Sequence, residues 1–115
     1  MGIDQLILHI TTRDRAEIAQ RTGVYRADSL DTEGFIHCST QDQVIWVANQ
    51  FYAGQRDLVL LCIDPQKVNS EIRYEAVEGV GTFPHIYGEL NADAIVKILD
   101  FPPHADGTFL LPNNL

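Results

Sequence analysis

Gly34-Phe35-Ile36-His37-Cys38-Ser39-Thr40 is a short apolar run that carries one histidine and leads directly into a helix. Strand side chains alternate, so Phe35 and His37 point one way and Ile36 and Cys38 the other. Ser39 and Thr40 fall where a helix N-cap belongs, and Thr40 with Gln43 has the capping-box spacing. A strand end, an imidazole and a helix N-terminus thus converge, and unpaired N–H groups there favour an anion such as a phosphate. The competing reading of His37 is a structural histidine in a strand.

The segments on either side give the run its neighbours. Upstream, Leu6 to Thr11 reads as a buried strand with Leu6, Leu8 and Ile10 on one face and Ile7, His9 and Thr11 on the other. A short polar helix is expected from about Asp14 to Arg21, capped by Thr11 or Thr12, closed by Gly23 and lying outside the core. Val24-Tyr25-Arg26 reads as a brief extended piece, and Asp28 to Gly34 as a loop.

Downstream, the spacing of Val44, Ile45, Val47, Ala48, Phe51 and Tyr52 predicts a helix from about Gln41 to Ala53, stopped by Gly54. Leu58 to Ile63 is apolar on both faces and reads as a central strand ended by Asp64-Pro65. From Glu71 to Val77 the chain alternates, with Ile72, Tyr74 and Ala76 on one face and Glu71, Arg73 and Glu75 on the other. Gly79 to Gly88 is expected to be an aromatic loop that closes on a pocket and presents His85 and Tyr87. Ala94 to Phe101 reads as a strand, His104 as surface, and Thr108 to Leu111 as the return of a hairpin through Asp106-Gly107.

The 115 residues are enough for one domain, spanning 1–115, with a core that needs no disulfide or metal. No apolar run is long enough to span a bilayer, and the N-terminus lacks the pattern of a secretory signal, so a cytoplasmic protein is expected. The formal charge of −8 speaks against non-specific nucleic-acid binding, which depends on Lys and Arg. A compact phosphate site built from Arg13, Arg21 and Arg26 stays open. Cys38 and Cys62 sit in apolar strands and read as buried free thiols. There is no Walker pattern, nucleophile elbow or Cys-X-X-Cys, and His9, His37 and His85 lack the paired spacing of metal motifs, so no metal is assigned.

Leu8-His9-Ile10, Gly23-Val24-Tyr25, Glu33 to Thr40, Leu58 to Asp64, Tyr74-Glu75 and Phe83 to Gly88 together resemble the DUF952 family, whose function is uncharacterised. That family is similar in turn to the ADP-ribosyltransferase fold and to RNA 2′-phosphotransferases. His9-Ile10-Thr11 resembles the His-Gly-Thr of their first strand, and Ile36 to Ser39 their second histidine strand. The resemblance implies an α+β fold with a split, mostly antiparallel sheet, one main amphipathic helix and short helices, and a cleft that takes NAD or an NAD-derived, ribose-bearing metabolite.

His9, His37, Glu75 and His85 are then the candidate catalytic groups, with Thr11, Tyr25, Ser39, Thr40, Tyr74 and Tyr87 as candidate ligand contacts. Ile10 stands where the phosphotransferases have glycine, and their dense arginine set is absent, which points to a small molecule rather than RNA. The alternative is a non-catalytic domain that binds a small ligand or a protein partner through Phe83 to Tyr87.

Overall fold

A computed structural model describes residues 6–113 and 115. Met1 to Gln5 and Asn114, at the ends of the expected domain, lie outside the described residues. Along the chain run β1 (Ile7–Thr12), α1 (Arg13–Thr22), β2 (Val24–Tyr25), α2 (Asp28–Thr32), β3 (Ile36–His37) and α3 (Gln41–Phe51). Then come β4 (Leu58–Ile63), β5 (Glu71–Val77), β6 (Gly81–Tyr87), β7 (Leu90–Asn91) and β8 (Ile95–Asp100), with short 3-10 turns at Pro65–Lys67 and Ala92–Ala94. This is an α+β protein in which, among the described residues, every strand pairing is antiparallel: sheets β1-β4-β8 and β3-β6-β5, and the small pair β2-β7.

The fully apolar β4 is the central strand of the first sheet and is buried along its whole length. One face, carrying Leu8, Ile10, Leu60 and Cys62, packs on Val44 and Ala48 of α3 and on Phe101 and Phe109. The other, carrying Ile7, Val59, Leu61 and Ile63, packs on Ile36 and Ile86 of the second sheet and on Ala16 and Ala19 of α1. Burying a side chain of this size contributes about 1.5–3 kcal/mol, so both faces matter to stability. The helix α1 is therefore less peripheral than its polar composition implies, because its two alanines enter the core. Thr12 caps its start and Gly23, at φ 86°, closes it.

The two sheets meet at a reciprocal pair of backbone bonds between Leu8 and Ser39, each 2.8 Å. Immediately beyond, Thr40 starts α3 as the capping box requires, its N–H donating to Gln43 Oε1 at 3.0 Å.

Five expectations need correction. The segment Asp28 to Gly34 is not all loop, since Asp28–Thr32 forms α2, closed by Glu33 and Gly34 N–H bonds back to Ser29 and Leu30. The expected loop Gly79 to Gly88 is instead β6, the central strand of the second sheet. Pro84 is tolerated there because β3 ends beside it: its carbonyl still accepts the Cys38 N–H at 3.0 Å, and only the return bond is lost. On β5 only Ile72 reaches the core, while Tyr74 is 58% exposed, because the β5–β6 hairpin runs on past the two-residue β3 that would cover it. Phe51 is 68% exposed rather than on the buried face of α3. Thr108 to Leu111 turns back at Gly107 but pairs with no strand; it is held instead by stacking of Phe109 on Phe101 and by the Phe109 N–H on Asn49 Oδ1 at 2.8 Å.

Candidate functional site

The antiparallel register sorts the second sheet into two faces. Ile36, Ile86 and Ile72 form one cross-strand rung and face the core. His37, His85 and Arg73 form the adjacent rung and point the opposite way. Phe35 joins this polar face, stacked on His85 with ring centroids 4.1 Å apart and set edge-on to His37 at 4.8 Å. The His37 and His85 rings are 5.3 Å apart.

From the first sheet, β1 brings a second polar group. His9 Nδ1 lies 2.5 Å from the His37 carbonyl, and its Nε2 lies 2.7 Å from the Tyr25 hydroxyl, which is 2.9 Å from Thr11 Oγ1. A carbonyl only accepts, so Nδ1 carries the proton of a neutral ring, and Nε2 accepts from Tyr25. The single Tyr25 proton is thereby used, so Thr11 donates to the Tyr25 oxygen. Burial drives the His9 pKa from 6.5 down to about 4, in keeping with a neutral imidazole, and pushes Tyr25 up to about 12. The chain Thr11 to Tyr25 to His9 to the His37 carbonyl has one direction and leaves acceptor lone pairs on Thr11 and Tyr25.

A third group lies behind His85. Its Nδ1 is 2.8 Å from Glu75 Oε1, and the Tyr87 hydroxyl donates to the same oxygen at 2.6 Å. The hydrogen bonds from Tyr87 and then His85 hold the Glu75 carboxyl below the usual carboxylate range. The Arg73 guanidinium sits 4.3 Å over the Tyr87 ring.

The first two of these groups border a cavity of about 630 Å³ beside the outer edge of β1, beyond its pairing with Ser39. His9, Thr11, Tyr25, His37 and His85 all line it, so the three histidines on separate strands do share one space. Glu75 and Tyr87 stand behind His85 and do not line it. Ser39 is buried in its pairing with Leu8, Thr40 caps α3, and Tyr74 is exposed; none of these three is on the wall. The anion site expected at the α3 N-terminus is accordingly not part of the cavity.

The arginine site left open for Arg13, Arg21 and Arg26 is not part of this cavity, which none of the three lines. Arg13 pairs with Asp100, and Arg26 bridges Asp31 and Glu89. The basic group on the cavity wall is Arg15, 2.9 Å from Asp28. Cys38 lines the wall, but burial pushes its thiol far up, so it is not a thiolate; Cys62 goes up to about 11 for the same reason. Both thiols are free. Among the described residues no three His, Cys, Asp or Glu side chains come together as a metal-ligand set.

The sequence reading missed the outer wall, where Trp46, Phe51, Val77 and Val80 stand exposed around the opening, with Phe83 and Tyr52 deeper. A partial signal was available: Trp46 lies off the Val44 and Ala48 stripe of α3, and a tryptophan there packs on something other than the core.

The DUF952 model, described as a protein of unknown function, matches residues 10–98. The X-ray crystal structure of protein CC0527 from Caulobacter crescentus is similar, with 30% sequence identity over 93% of this chain and 95% of that one and a TM-score of 0.85. Its solution NMR structure gives 30% identity over 96% of each chain and a TM-score of 0.82. Among curated proteins none matches. With most of its length inside the family match, including β3, β6 and the second half of β1, the chain belongs to the DUF952 family.

Proposed function

We infer that the cavity binds a ribose-bearing nucleotide, NAD or an NAD-derived metabolite, and that the protein acts on it as an ADP-ribosyltransferase-like transferase. The observation that carries this reading is the convergence of acceptor groups on one wall: the Thr11 and Tyr25 oxygens and the imidazoles of His37 and His85. Sugar hydroxyls are donors that such a wall would hold in a fixed orientation. Arg15 offers a counter-charge for a phosphate, and the aromatic opening suits a planar ring. At 630 Å³ the space is within the ordinary range of small-molecule sites, about 300–1,000 Å³.

Calorimetric titration of NAD and ADP-ribose into the wild type and His37→Ala tests the reading. The His37 side chain is exposed and its contact with His9 is through the backbone, so the variant keeps its fold, checked by circular dichroism. Wild-type binding weakened about tenfold or more, or ~1.4 kcal/mol, is expected. No binding of either ligand at millimolar concentration overturns it. The exposed rim of Trp46, Phe51, Val77 and Val80 favours a second reading, a non-catalytic domain that docks a ligand or protein partner at that surface. In that case Glu75→Gln would be tolerated with little loss of binding.

A further inference from the structure

We propose that His85 is the general base of the site, that Glu75 is its positioning residue rather than a group that touches the ligand, and that the acceptor His85 activates is water or a hydroxyl. This rests on the nucleotide reading above and deepens it.

Glu75 takes two donors on one oxygen, the Tyr87 hydroxyl and His85 Nδ1. An ionised carboxylate only accepts, so Nδ1 holds the proton of the neutral ring and Nε2 holds a lone pair. His85 is 5% exposed, and its ring is clamped by the stacked Phe35 on one side. No buried side-chain nitrogen or oxygen among the described residues is without a partner, and Nε2 is bonded to no protein group, so what remains exposed of this ring opens to the cavity it lines. Glu75 does not line that cavity. A carboxylate set to stabilise positive charge on a ribose would have to face it. Here the carboxylate faces the back of an imidazole, as in hydrolytic triads where the acid fixes the tautomer and stabilises the imidazolium.

The step balances as follows. The acceptor oxygen bonds to the anomeric carbon of the nicotinamide ribose while its proton passes to His85 Nε2. The bond from that carbon to the pyridinium nitrogen breaks, and its electron pair leaves with neutral nicotinamide. With water as acceptor the products are ADP-ribose and one proton, held for the moment as imidazolium beside Glu75.

The test uses the full chain and NAD itself. Nitrogen-15 imidazole shifts of the ligand-free protein at neutral pH should show His85 as the Nδ1–H tautomer. Nicotinamide release at saturating NAD should fall by about 10²–10⁴-fold in His85→Ala. Glu75→Gln should lower kcat with KM unchanged, the split that a merely structural role would not give. An Nε2–H tautomer, unchanged kcat in either variant, or no nicotinamide release by the wild type overturns the proposal. Failure of NAD to bind at all overturns the nucleotide reading beneath it as well, whereas binding without release leaves nucleotide binding standing.

Discussion

Mild acid should destabilise this protein through one side chain, His9. In the unfolded chain its imidazole titrates near 6.5, whereas in the native state desolvation lowers it to about 4. Between those values the unfolded state binds one more proton than the native state, so stability falls as pH falls. The contribution is complete above pH 6.5 and is lost progressively down to about pH 4. Each unit is worth about 1.4 kcal/mol, so acidification from pH 6.5 to 4.5 should remove about 2–3 kcal/mol. With a urea slope of about 1–2 kcal/mol per molar, the unfolding midpoint should drop by about 1–2 M.

The carboxylates of Glu71, Glu75 and Asp106 are held low by hydrogen bonds from Arg73, from Tyr87 and from Thr108 respectively. Their stabilisation is present above their unfolded values and disappears as pH falls through the lower folded ones, so it leaves mostly below this window. The assay is urea unfolding at pH 7.0, 5.5 and 4.5 for the wild type and His9→Gln. An amide can donate to the His37 carbonyl and accept from Tyr25 but does not titrate. The variant should lack most of the shift. Equal shifts in the two proteins would refute the assignment of a neutral, buried His9.

Two further substitutions test the frame around the site. In Gly88→Ala the new methyl group would stand 2.5 Å from Ser70 Oγ at a backbone φ of 151°, displacing the hydroxyl from its bond to the Glu89 carbonyl. Strain, crowding and the lost bond together should cost about 2–4 kcal/mol, read as a lower Tm, and an unchanged Tm would refute the close approach. Phe109→Ala removes a buried ring stacked 4.8 Å from Phe101 and should cost about 3–5 kcal/mol in urea unfolding; a loss under about 1 kcal/mol would show that the C-terminal segment does not close the core.

The parts of the fold that were legible are those in which pattern and environment agree. The unbroken apolar run of β4, the alternation of β1 and the Thr40–Gln43 box each state a local rule that tertiary packing does not overrule. β6 was illegible for the opposite reason: its Gly81 and Pro84 are turn formers, and only the early end of β3 makes a proline acceptable in a central strand. Phe109 has the composition of a strand, yet stacking on Phe101 rather than backbone pairing satisfies it.

At the site, the histidines and the Thr11 face could be chosen by residue type and alternation, but their order could not. That Glu75 lies behind His85 follows from the cross-strand offset between β5 and β6, a register that no single strand encodes. The same limit hid the rim, since Trp46 and Val80 are brought to one opening by the packing of α3 against a hairpin far along the chain.

The reciprocal bonds between Leu8 and Ser39 work as a backbone clasp between two sheets that also share an apolar core. Both sheets contribute to the cavity lining, so opening the cavity at this clasp would break these two bonds and the His9 contact with the His37 carbonyl while leaving the ladders within each sheet intact. Amide exchange then has two tiers: the N–H groups of Leu8 and Ser39 report the breathing of the cavity, and those of β4 report unfolding of the whole molecule. A ligand that touches both walls would slow the first tier without needing to alter the second.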